Sequence, residues 1–138
     1  MKKLALVFCV AGLAGLASAQ PKPVKIVFDI TSGDTLIHQT ALRHVTMMSA
    51  AYPQSEFEVV IYSGAIDMVL KEKSTVALAI QKLESNPRVS FKVCEATMKR
   101  HNVDKSKLLP KVGTVPDGIL EIVYKQSEGW GYIKETHD

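Results

Sequence analysis

Hydrophobic and polar positions along this chain switch repeatedly between two periods. Val24 to Ile30, VKIVFDI, is β-branched and apolar between Pro23 and the turn residues Thr31-Ser32-Gly33-Asp34, which predicts a central strand. From Thr35 to Ala51 the residues Leu36, Ile37, Ala41, Leu42, Val45 and Met48 recur at helical spacing, with Asp34 as N-cap and Pro53 as the stop. Phe57 to Tyr62 reads as a second strand closed by Ser63-Gly64. Ile66 to Leu70 fits either a loop or a short helical turn. Thr75 to Leu83 is amphipathic, with Ser74 as a candidate cap and Asn86-Pro87 as the end. Val89 to Val93 predicts a third strand and Glu95 to Asn102 the helix after it. DKSKLLP is a connecting turn, and Val112 to Val115 a short fourth strand before Pro116.

The segment DGILEIVYKQSEG carries both signals. Ile119, Ile122, Val123 and Gln126 fit a helix, while Ile119 to Tyr124 is β-branched enough for a strand. Pro116-Asp117 before it and Gly129 after it are helix punctuation, so a helix is expected, followed by a last strand in WGYIKE. Strands alternating with helices predict a single-domain layered α/β fold. Its sheet is mostly parallel, of about five strands, with helices on both faces and right-handed crossovers.

The first residues change the chemical setting. Lys2 and Lys3 precede an apolar run from Leu4 to Leu16, and Ala17-Ser18-Ala19 offers a small-residue cleavage site before Gln20. Residues 1–19 are therefore read as a signal peptide and 20–138 as one domain, exported and periplasmic in a cell with an outer membrane, with no membrane attachment after cleavage. Cys9 falls inside the apolar run and goes with it. Dropping Lys2 and Lys3 from the 17 basic side chains leaves 15 against 14 acidic ones. So balanced a charge gives no clustered basic face for nucleic acid.

One cysteine then remains, Cys94, where a strand runs into a helix. An intrachain disulfide is excluded, leaving a buried inert thiol, an interchain bridge, or a reactive group. In open parallel sheets ligands gather at the carboxyl ends of strands. Thr31 to Asp34, Tyr62 to Gly64, and Cys94 all belong there, making Ser32, Asp34, Ser63 and Gly64 candidate pocket residues around the thiol. A helix start favours the thiolate, whereas the neighbouring Glu95 opposes a second negative charge. Chemistry alone leaves the structural and reactive readings of Cys94 open.

Other constellations are weaker. Cys94 and Arg100 have the spacing of a cysteine-phosphatase loop, but CEATMKR contains no glycine and sets a carboxylate beside the nucleophile, which opposes an anion. Without a second thiol there is no thioredoxin-type exchange. His38, His44, His101 and His137 make no metal motif, and neither a metal nor an organic cofactor is expected. The TSGD turn is a weak anion-site candidate, better explained as a turn and cap. Met47, Met48, Trp130 and Tyr132 are expected to pack in the core or in an oligomer interface.

Four stretches, KIVFDITSGDTLIHQTALRHV, FEVVIYSGAIDMVL, VSFKVCEATMKRHNVDKSKLLPKVGTVPDGILEIV and KQSEGWGYIKE, together resemble the DsrE/DsrF-like family, particularly its stand-alone members. The third stretch, with its cysteine after a strand and its VP before a final helix, is the most specific. The resemblance implies a compact fold assembling as a homo-oligomer, a trimer or hexamer. It also implies that Cys94 is a nucleophile carrying sulfur as a persulfide, with small sulfur species or a thiol-bearing protein as partners. The alternative is a non-catalytic oligomeric module that binds a small ligand or a protein around a structural cysteine. The export signal departs from the relay proteins of the family, which usually work in the cytoplasm.

Overall fold

The computed structural model describes residues 21–136. The signal-peptide reading, Cys9 and His137 lie outside them. The described chain runs β1 (Lys25–Ile30), α1 (Thr35–Ala51), β2 (Glu56–Ile61), a 3-10 segment (Ser63–Val69), α2 (Ala77–Leu83), β3 (Val89–Cys94), α3 (Glu95–Arg100), a 3-10 turn (Lys105–Lys107), β4 (Gly113–Val115), α4 (Gly118–Ser127) and β5 (Gly131–Lys134). All strands are parallel, in the order β4-β3-β2-β1-β5. The layered α/β architecture expected from the pattern is present, with a wholly parallel sheet.

Several boundaries moved for identifiable reasons. β1 is interior but stands one place from the centre, which β2 occupies. The ambiguous Ile66–Leu70 stretch is wound into the 3-10 segment. α2 starts two residues later than expected. Ser74 does not take the N-cap position: its hydroxyl donates to the Met68 carbonyl at 2.5 Å and accepts from Val76 N at 3.3 Å, and Val76 is the N-cap. The two-way segment after Pro116 is a helix, because Asp117 Oδ1 accepts from Ile119 N at 2.8 Å and Leu120 N at 3.1 Å. Gly129, at φ 86°, turns the chain after its end into β5.

Strand order explains the layering. Going β1 to β2 to β3 to β4, the chain steps across the sheet in one direction, so crossovers of one hand all fall on the same face. The return from β4 to β5 reverses direction and places α4 on the other. On the first face Phe28, Ile30, Phe57, Val59, Ile61, Phe91 and Val93 pack with residues of α1, α2 and the 3-10 segment in one large core. The second face is thin: Val27, Val60 and Ile122 form a small cluster flanked by Tyr62 and Trp130. Alternation of side chains along each strand puts Asp29, Glu58 and Cys94 on this thin face, in line with Val27 and Val60.

Candidate functional site

β3 leads into α3 on the thick face, and its neighbour β4 leads into α4 on the thin one. The chain therefore diverges to opposite faces at the carboxyl ends of β3 and β4. Such a switch point is where open α/β sheets place their ligands. Cys94 is the last residue of β3 and the N-cap of α3, and it pairs with Val115, the last residue of β4. Sequence and topology thus put the thiol at the position where this architecture places ligands.

Its surroundings are close-fitting. Cys94 is 5% exposed, so the thiol is covered within this chain. It belongs to neither apolar cluster. Sγ lies 4.0 Å from the carbonyl oxygen of Pro116, a weak S–H donation. A Cβ placed on Gly118 would stand 3.3 Å from Cys94 Cβ and 3.2 Å from Tyr62 Cδ1, so the glycine lets the start of α4 close over both side chains. Glu95 is held by other partners: Oε1 accepts from Thr114 Oγ1 at 2.6 Å and from Lys105 Nζ at 2.8 Å. Those two hydrogen bonds hold its carboxyl below the usual range, Lys105 contributing most.

The other candidate pocket residues hold the strand-end loops together. Ser32 Oγ accepts from Asp34 N at 3.1 Å, and Asp34 Oδ1 accepts from Leu36 N at 2.8 Å as the cap of α1. Ser63 sits at φ 56°, a left-handed conformation unusual for a residue with a Cβ, and its amide donates to the buried Thr97 Oγ1 at 3.0 Å. A Cβ on Gly33 would meet the Gly64 carbonyl oxygen at 3.0 Å, so these glycines allow two loops to touch through backbone. Ser63 is thereby tied to α3, the helix that Cys94 caps. The hydrogen bond of the thiol goes to Pro116 and not to these loops.

A second polar group escaped the sequence reading. On the thin face, Tyr132 Oη donates to Asp29 Oδ2 at 2.6 Å and Lys134 Nζ lies 3.1 Å from Asp29 Oδ1. The Tyr62 phenol is pushed up to about 12, by burial first and then by the Asp29 charge. Tyr132 is raised to about 12 chiefly by its hydrogen bond to Asp29. Both phenols therefore remain protonated donors at neutral pH. A signal existed: Asp29 interrupts an otherwise apolar strand, and a buried carboxylate needs partners. Tyr132 lies by this group and not in the core, while Met47 is 61% exposed. Two histidines are satisfied: His38 Nε2 lies 2.7 Å from the Ser32 carbonyl and His44 Nδ1 2.9 Å from Glu135 Oε1.

Among the described residues no group of His, Cys, Asp and Glu is placed to hold a metal, and no helix is long and apolar enough to cross a membrane.

No curated protein matches this chain. Among solved structures it is similar to a protein of unknown function from Methanobacterium thermoautotrophicum, at 28% identity and a TM-score of 0.75, over 80% of this chain and 98% of the other. Residues 25–134, from the start of β1 to the end of β5, match the DsrE/DsrF-like family, and the chain belongs to that family.

Proposed function

We propose that this protein is a periplasmic sulfur carrier, exported by residues 1–19, in which Cys94 takes up sulfane sulfur and passes it on. The observation that carries the reading is the position of Cys94 at the switch point between β3 and β4, outside both apolar clusters. The Cys94 thiolate bonds to the outer sulfur of thiosulfate, the S–S bond of thiosulfate breaks, and sulfite leaves with the bonding pair. Attack by an acceptor thiolate on the outer sulfur of the persulfide then returns Cys94 as thiolate. Because the thiol is 5% exposed, exchange requires the Pro116–Gly118 connection to swing away from it.

Assembly as a homo-oligomer is part of the proposal. α4 turns Ile119, Leu120, Val123 and Tyr124 outward, each between 45% and 62% exposed, and a second copy would cover this apolar surface. Incubation with thiosulfate or polysulfide followed by intact mass measurement tests the chemistry. The expected result is an adduct of about 32 Da, one sulfur atom, absent in Cys94→Ser. No adduct on the unsubstituted protein overturns the reading.

The low exposure of Cys94 favours a second reading, a non-catalytic binding module with a packed cysteine. It requires a thiol that alkylating reagents reach only on unfolding, and a stability loss of about 1 kcal/mol or more in Cys94→Ser.

A further inference from the structure

A groove of about 700 Å³ runs between α1 and the segment Ser74–Leu83, on the thick side of the sheet and lined by none of the residues assigned to the thiol site. Leu42, Val76 and Leu83, all members of the main core, are among its lining residues. Met47 on α1 and Leu78 on α2 also line it, at 61% and 75% exposure, so two large apolar side chains flank an apolar surface. Two cations line it as well, each one helical turn from such a residue: Arg43 before Met47 and Lys82 after Leu78. No acidic residue is in the lining, and neither cationic side chain has an ion-pair partner among the described residues.

We propose that this groove binds a medium-chain carboxylate, its tail against the Leu42, Val76 and Leu83 surface and its head drawn to Arg43 and Lys82. The volume lies in the range of small-molecule sites, which combine an apolar lining with a few polar groups that fix orientation. Covering Met47 and Leu78 supplies the driving force, and methionine adapts to a flexible chain. A two-fold contact of the groove with its own copy is disfavoured, because it gathers the Arg43 and Lys82 charges of both copies on one patch. The seven-residue α2 gives a wall of about 10 Å, the least that the spaced anchors of a docked helix require. That length suits a short acyl chain better.

Calorimetric titration of the protein with decanoate, with decanol and with decyltrimethylammonium tests the inference. Decanoate is expected to bind with a Kd below about 1 mM, and the cationic amphiphile at least about tenfold more weakly. The double substitution Arg43→Glu, Lys82→Glu is expected to weaken decanoate about tenfold while changing decanol little, since its effect is electrostatic. Leu78→Asp is expected to weaken both. All three positions are exposed, and an unchanged thermal melt checks that the variants fold. Absence of decanoate binding, or binding indifferent to head-group charge and to all these substitutions, overturns the proposal. So does self-association in sedimentation that Leu78→Asp abolishes, which assigns the groove to a second copy. An acidic amphipathic peptide that binds where decanoate does not assigns it to a protein partner and likewise overturns it. None of these outcomes depends on Cys94.

Discussion

At Gly118 the absence of a side chain decides how tightly the thiol is covered. Any Cβ there would crowd Tyr62 and Cys94 at 3.2–3.3 Å, and branching would press on them further. Gly118→Val is expected to lower stability by about 1–3 kcal/mol, read from urea unfolding, as overpacking of a close-fitting site does. The same substitution should speed alkylation of Cys94 in the folded protein, because the covering turn is pushed outward. Glu58 offers a second residue-scale test. It is 3% exposed, and its Oε2 accepts from Ser90 Oγ at 3.1 Å and pairs with Lys125 Nζ at 3.2 Å, while Oε1 has no hydrogen-bond partner. Burial first, and then the neighbouring Glu121 carboxyl, push its carboxyl above the ordinary 4.5, and Lys125 opposes the shift only in part. Between 4.5 and the raised value the folded state holds a proton that the unfolded chain has lost, so stability falls as pH rises through that window. Glu58→Gln should flatten this dependence in denaturant midpoints measured from pH 4.5 to 7. Cys94 was readable as a single residue because a lone cysteine ends a strand there; Tyr62 was placed with it at the strand ends, whereas nothing in the local sequence of Gly118 marks it as a neighbour.

Among the elements, α4 does the most with the least sequence signal. Its residues fit a strand nearly as well as a helix, and the choice is made by its ends. Asp117 satisfies two amides of the first turn, and Gly129 closes the C-terminal side. Asp117→Ala is expected to cost about 1 kcal/mol, within the range of lost N-caps, measurable as a lower urea midpoint with unchanged slope. The contrast with α2 is instructive. Ser74 has the right residue type and place for a cap, yet its hydroxyl goes to the Met68 carbonyl and the helix starts later. A cap residue states what it is able to do; the folded chain decides which amide reaches it, here Val76 N, one residue ahead of the helix. The starts of α1 at Thr35 and α3 at Glu95 fall where the pattern put them, and strands β1 to β4 lie within one residue of their expected ends, so α2 is the exception.

At the scale of the molecule, one reversal of direction across the sheet fixes the site, the thin face and the exposed helix together. Helices α1 to α3 share one face. α4 alone covers the other, presenting one apolar side to the sheet and another outward. If a second copy covers that outer side, Val123→Glu should shift the protein to a smaller species in sedimentation velocity while leaving the monomer fold intact. The position is 52% exposed, so no core contact is lost. An unchanged sedimentation coefficient for an associated protein would place the interface elsewhere.

The sequence by itself determined the alternation of strands and helices, hence the parallel layered fold, and the placement of one thiol between a strand and a helix. These follow from local periodicity and turn chemistry, which act over a few residues. Tertiary structure alone decided which strands became neighbours, that β3 and β4 send the chain to opposite faces, and that Pro116 and Gly118 come against Cys94 with Tyr62 beside Gly118. Those facts depend on contacts between residues more than twenty positions apart, such as Cys94 with Pro116 or Tyr132 with Asp29. Local sequence carries no record of them, because the chain meets them only when the sheet is assembled.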